Sequence, residues 1–187
     1  MEKFSKENDI DVITTYQSIS NKNINTEQNE NKRMLLAKAA DKYADCIFNP
    51  SVDQMSCFER KTHPFIYFLD TYYFSKNRDK YKQLENIIVV HAPSSPLIKG
   101  TPLVRAAIKK LKEEGYNFQY IELINRSNLD VLKILSSAHI VLNQFYAFVP
   151  GVLGIEAMAK SCALLTSADK KIETSLDEGA NQAWVVT

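Results

Sequence analysis

Ile87-Ile88-Val89-Val90-His91-Ala92-Pro93-Ser94-Ser95-Pro96-Leu97-Ile98-Lys99-Gly100-Thr101-Pro102 decides how this chain is read. The four apolar residues at its start are too few for a helix and suit a strand buried on both faces, as inside a parallel sheet. A polar loop with two prolines follows. Thr101 is placed to cap the amides of a new helix, and Pro102 suits its first position. Leu103, Ala106, Ala107, Ile108 and Leu111 then recur at helical spacing. Lys109, Lys110, Lys112, Glu113 and Glu114 fall largely on the other face, with Gly115 as the stop.

Downstream the pattern repeats. Phe118 to Leu123 reads as a second strand, and Ser127 to Ala138 as a second helix capped by Ser127 or Asn128. His139-Ile140-Val141-Leu142 is a third strand, Gly151 to Lys160 a third helix, and Ala163-Leu164-Leu165 a fourth strand. Short strands alternating with helices predict right-handed crossovers and an α/β fold with a doubly wound, Rossmann-like parallel sheet. Ligands of such sheets lie at the carboxyl ends of the strands. The loops after Val90 and Leu142 are therefore the places to look for function.

The rest of the chain adds bounds. With 187 residues there is room for one well-buried domain, or one domain and part of another. Lys and Arg number 23 against 22 Asp and Glu, so net charge gives no reason to expect a nucleic-acid partner. Cys46, Cys57 and Cys162 are dispersed and read as reduced thiols. The amino terminus does not resemble a signal peptide, and no apolar run approaches about 18 residues. A cytoplasmic location is expected.

Residues 1–33 are polar and rich in asparagine, and read as a polar arm, either a short helix or flexible. From Met34 an amphipathic helix is expected, then a brief strand at Cys46-Ile47-Phe48, a helix from Ser51 to about Phe58 and a strand at Phe65 to Leu69. All five glycines lie after residue 99, and this shift, with the charged run Lys76 to Glu85, suggests a boundary near residue 80. Residues 34–80 would then be an interdomain segment or the remnant of an amino-terminal domain, and 81–187 a ligand-binding domain. The tail from Ala168 to Ala183 has helical character. Trp184-Val185-Val186-Thr187 looks like the start of a fifth strand, which makes the domain look cut short at its carboxyl end.

Familiar chemical signatures are missing. There is no G-x-G-x-x-G after the first strand, no G-x-x-x-x-G-K-[ST] and no G-x-S-x-G, and His63, His91 and His139 form no zinc pattern with the cysteines. Two loops remain. Lys99-Gly100 stands immediately before a helix amino terminus, where amides and dipole favour phosphate; alternatively Lys99 is a surface lysine before a turn. Gly151 and Gly154 open another helix and would let a ligand approach the backbone. Glu156, between apolar neighbours, must be paired or hydrogen-bonded. A ribose diol would satisfy it, as would an internal salt bridge to Lys99 or Arg105. His91 either reaches a ligand or makes a structural hydrogen bond.

The succession Val90-His91-Ala92-Pro93-Ser94, Ile98-Lys99-Gly100-Thr101, Gln144, Gly151 and Glu156-Ala157-Met158-Ala159 resembles the carboxyl-terminal, nucleotide-sugar-binding domain of bacterial GT-B glycosyltransferases, in the retaining family called group 1 or family 4. It covers about residues 85–166, and more loosely 34–75. The resemblance implies that Lys99 contacts the diphosphate of a nucleotide sugar and Glu156 its ribose, with Gly100, Gly151, Ser94 and His91 around the donor. It further implies retaining transfer to a glycan or lipid-linked acceptor without metal or other cofactor, at the inner face of the membrane or free in the cytoplasm. Some positions depart from the family pattern: the usual arginine a few residues before Lys99 is missing, its place taken by Ser94-Ser95-Pro96, Phe148 stands where the family has a glutamate, and Ser161 and Ala163 replace a glycine and a proline. With no amino-terminal acceptor domain of usual length, these departures raise a second expectation, a non-catalytic subunit or fragment whose acceptor domain comes from another polypeptide.

Overall fold

A computed structural model describes residues 26–49, 57–63, 69, 74, 77–82, 84–147, 149–173 and 176–187. The expected helix at Ser51 to Phe58 and strand at Phe65 to Leu69 lie almost wholly outside these residues, as does Phe148. The described residues up to 63 belong to one unit and those from 69 onward to another.

In the first unit, helix α1 spans Thr26–Tyr43. It begins eight residues before the expected Met34, so the last part of the arm, read as a short helix or a flexible segment, is helical. Asp41 accepts the backbone N–H of Glu59 at 2.8 Å, and Arg60 Nη1 donates to the carbonyls of Asp41 and Ala44 at 3.0 and 2.7 Å. A guanidinium thus sits on the carbonyl end of α1, where the helix dipole favours positive charge. The expected strand at Cys46 to Phe48 is a single parallel bridge between Phe48 and His63.

The second unit is an α/β layer structure. After a 3-10 turn (Asp79–Lys82) come β1 (Ile88–His91), α2 (Thr101–Glu113), β2 (Gln119–Glu122), α3 (Asn128–Leu135), β3 (Ile140–Leu142), α4 (Gly151–Ala159), β4 (Ala163–Thr166), α5 (Ala180–Ala183) and β5 (Val185–Val186). The five strands form one sheet in the order β2-β1-β3-β4-β5, with every pairing parallel. Strand order reverses between β1 and β3, and β1 bears on both neighbours: Val89 pairs with Tyr120 and Ile140, and Val90 with Ile121 and Val141.

Alternation along the strands builds two cores. Val90, Val141 and Leu164 point to one face and pack with Leu132 and Leu135 of α3 and Ala157 of α4. Val89 points to the other face, against Val104 and Ile108 of α2 with Ile140 and Leu142 beside them. Helices therefore cover both faces. Each large apolar side chain so buried contributes about 1.5–3 kcal/mol relative to exposure, as an upper bound.

Capping is only partly as expected. Ser127 is the cap of α3, and its hydroxyl accepts the Asp130 N–H at 3.2 Å. Thr101 does not cap α2. Gly100 holds the cap position at φ +76°, and Thr101 has turned its hydroxyl inward to His91. In the tail before α5 the described residues form turns at 170–172 and 178–179; α5 itself is four residues long.

Beneath the amino ends of the strands, the 3-10 turn clamps the sheet. The Lys80 ammonium donates to the carbonyls of Ala138 and Lys160, just past the ends of α3 and α4. The Tyr81 hydroxyl lies 2.8 Å from the carbonyls of His139 and Ser161 and accepts the Ala163 N–H. His139 Nδ1 accepts the Ile88 N–H, so its Nε2 carries the proton and donates to the Lys80 carbonyl. Among the described residues, no helix is long and apolar enough to cross a membrane.

Candidate functional site

A cleft of about 570 Å³ opens at the carboxyl ends of β1, β2 and β3. Strand order reverses between β1 and β3, the topological position at which open parallel sheets receive ligands. Its walls come from the loop after β1 (Ala92, Pro93, Ser94, Lys99), the loop after β2 (Asn125, Arg126), the start of α3 (Asn128) and the first turns of α4 (Gly151 to Leu153, Glu156).

The loop after β1 is a run of turns. Backbone N–H groups of Lys99, Gly100 and Thr101 donate to the carbonyls of Ser95, Leu97 and Pro96. Gly100 requires its left-handed backbone, and a Cβ there would come within 3.1 Å of Phe145 Cβ. The Lys99 ammonium donates to Gln144 Oε1, and Gln144, nearly inaccessible, donates from Nε2 to the Val149 carbonyl. Asn143 likewise donates to the Pro150 carbonyl. These two amides fix the path from β3 into α4.

At the start of α4, Pro150 supplies no side-chain cap, and Gly151 takes φ +64°. Gly151, Val152 and Leu153 border the cleft, so the uncapped first turn, with its partial positive charge, faces it. Gly154 does something else. A Cβ there would lie 2.8 Å from Pro150 Cβ and 2.9 Å from Asn143 Nδ2, so its smallness serves helix packing and not the ligand approach read from the sequence.

Glu156 is 7% exposed and lines the cleft. Its Oε1 accepts from Asn128 Nδ2 at 2.9 Å. Of the two cations weighed as its partners, Arg105 forms a two-point pair with Glu122 at 2.6 and 3.1 Å, and Lys99 donates to Gln144. The Arg105 guanidinium, joined by the Tyr120 hydroxyl, holds the Glu122 carboxyl below its usual range. Burial, helped by the bond to Glu122, pushes the Tyr120 phenol up.

The cleft thus brings together Ser94, Lys99, Gly151 and Glu156 of the expected site residues. Gly100 shapes the loop from behind. His91 is fully buried: its Nδ1 lies 2.7 Å from the Leu142 carbonyl, and its Nε2 lies 2.9 Å from Thr101 Oγ1. Burial pushes this imidazole below its ordinary pKa. Sequence reasoning missed Arg126, Asn125 and the inward role of Asn128. The available signal was the polar run Asn125-Arg126-Ser127-Asn128 directly after a strand, at the same sheet edge as the other two loops. Asn125 takes φ +53° in the turn. Among the described residues, no group of three His, Cys, Asp or Glu side chains is placed to hold a metal ion.

No protein-family model matches the chain, and neither the curated proteins nor the solved structures gave a match.

Proposed function

We propose that the cleft binds a nucleotide diphosphate sugar, and that the chain is the nucleotide-binding half of a retaining, metal-independent GT-B glycosyltransferase of the group 1 or family 4 kind. The observation that carries this reading is that Lys99 and Glu156, from separate crossovers, line one cleft at the switch point. Lys99 and the first-turn amides of α4 neutralise the diphosphate, which is also the leaving group, so charge developing there is stabilised by groups already in place. Arg126, on the same cleft, adds the second positive charge that the loop after β1 lacks. Glu156 accepts from the ribose hydroxyls. The transferred sugar then faces a glycan or lipid-linked acceptor, presented in the cytoplasm or at the inner membrane face.

Calorimetric titration with uridine diphosphate (UDP) and guanosine diphosphate (GDP) tests the binding step. Saturable heat at micromolar to millimolar ligand is expected; a folded sample that gives none at millimolar ligand defeats the proposal. A second reading, a non-catalytic subunit completed by another polypeptide, is favoured by Phe148 at the position where the resembling family has a carboxylate. Sugar transfer by the chain alone would defeat that reading, and binding without transfer would support it.

A further inference from the structure

Glu156 is the only acid among the described residues lining the cleft, and it is nearly buried. A carboxylate withdrawn from water needs donors on both oxygens, or its burial is costly. Oε1 has one, the Asn128 amide at 2.9 Å; among the described residues, Oε2 has no hydrogen-bond partner. The donor to Oε1 is a neutral amide, which leaves Oε2 for a further donor.

The orientation of Asn128 follows from the same pair. Its oxygen cannot face a carboxylate oxygen, so Nδ2 does, and Oδ1 is left as an acceptor. Asn128 is the first residue of α3, is exposed and borders the cleft, while Ser127 does the capping. Asn128 is therefore not occupied in holding its helix. Glu156 Oε2 and Asn128 Oδ1 are thus two acceptors left over on hydrogen-bonded neighbours that both line the cleft. Two adjacent hydroxyls, each with one proton to give, match two such acceptors.

We infer that Asn128 and Glu156 together form a clamp for a vicinal diol, one hydroxyl on each residue, so that Asn128 is a specificity-determining residue selecting ribonucleotides over deoxyribonucleotides. This rests on the nucleotide-binding reading above and narrows it. The resemblance placed the ribose on Glu156 alone; the geometry adds a second residue from a different crossover.

The test is calorimetry on the full chain with UDP and GDP and their 2′-deoxy and 3′-deoxy forms, against wild type, Asn128→Ala and Asn128→Ser. In wild type, loss of either hydroxyl weakens binding about tenfold, or ~1.4 kcal/mol. In Asn128→Ala one of the two deoxy forms binds within about twofold of the parent diphosphate, because its missing hydroxyl has lost its partner already. The other keeps its tenfold penalty through Glu156. The serine variant, with a shorter acceptor, behaves like alanine or falls between alanine and wild type. If wild type binds UDP or GDP but shows no penalty, or if both variants retain both penalties, the clamp is overturned while nucleotide binding stands. If wild type binds neither diphosphate, the parent reading falls and the clamp with it.

Discussion

His91 and Thr101, ten residues apart in the chain and both essentially inaccessible, meet through Nε2 and Oγ1 at 2.9 Å. This bond closes the base of the loop that carries Ser94 and Lys99. The Leu142 carbonyl can only accept, so His91 Nδ1 holds the proton and Nε2 takes one from Thr101. One neutral imidazole thus joins β1, β3 and the start of α2.

The sign of the pH effect follows. Burial lowers the His91 pKa, so the unfolded chain takes up its proton first as pH falls. The contribution of the neutral ring is complete above the ordinary imidazole value of about 6.5 and is lost as pH drops below it toward the folded value. His91→Ala should cost ~2–3 kcal/mol in urea unfolding at pH 8, through two buried groups left without partners. The gap from wild type should narrow as pH falls below about 6.5; a gap that widens on acidification would contradict this account.

Lys99→Ala should weaken UDP or GDP binding about ten- to a hundredfold, the range for loss of a charge-assisted bond to phosphate. The remaining affinity should depend less on salt. Titrations at two ionic strengths, with circular dichroism to show that the fold persists, read both effects; unchanged affinity in a folded variant would remove Lys99 from the site.

Gly154→Ala sets two effects against each other. Alanine is the better helix former by ~1 kcal/mol. Its Cβ, however, would meet Pro150 Cβ at 2.8 Å, Asn143 Nδ2 at 2.9 Å and Leu164 Cδ2 at 3.2 Å, and overpacking of this kind costs ~1–3 kcal/mol. The clash should win, with a net loss of up to about 2 kcal/mol seen as a lower midpoint in thermal unfolding. A rise in that midpoint would mean that α4 moves away from the sheet easily.

Arg105→Ala removes a pair that is largely solvated on the arginine side, where 59% of the side chain is exposed. Screening limits its worth to ~1 kcal/mol or less at neutral pH, despite the two-point geometry. Glu122 has a depressed pKa, so the pair stabilises above the ordinary carboxylate range and fades as pH falls through the folded value. Thermal melts should differ at pH 7 and converge as pH falls below the ordinary carboxylate range.

The sheet was legible because three of its strands are bare apolar runs with no competing helical period. What the runs could not reveal was lateral order: nothing in Val89 or Val141 says that β3 lies beside β1. Thr101 shows the limit of local rules. A threonine before Pro102 looks like a cap, yet a buried histidine ten residues earlier offers its hydroxyl a better partner. Lys99 and Glu156 were readable from loop position and from the cost of burying an acid. Asn128 was read as a cap candidate because its cleft-facing partner is 28 residues away. Arg126 escaped notice because its loop has no glycine to mark it.

The Lys80 ammonium gives α3 and α4 a common foot, and both helices have their opposite tips at the cleft. Tied together at that foot and joined again at the rim by the Asn128–Glu156 bond, the two helices are braced at both ends, so the spacing that a guest meets is set before it arrives.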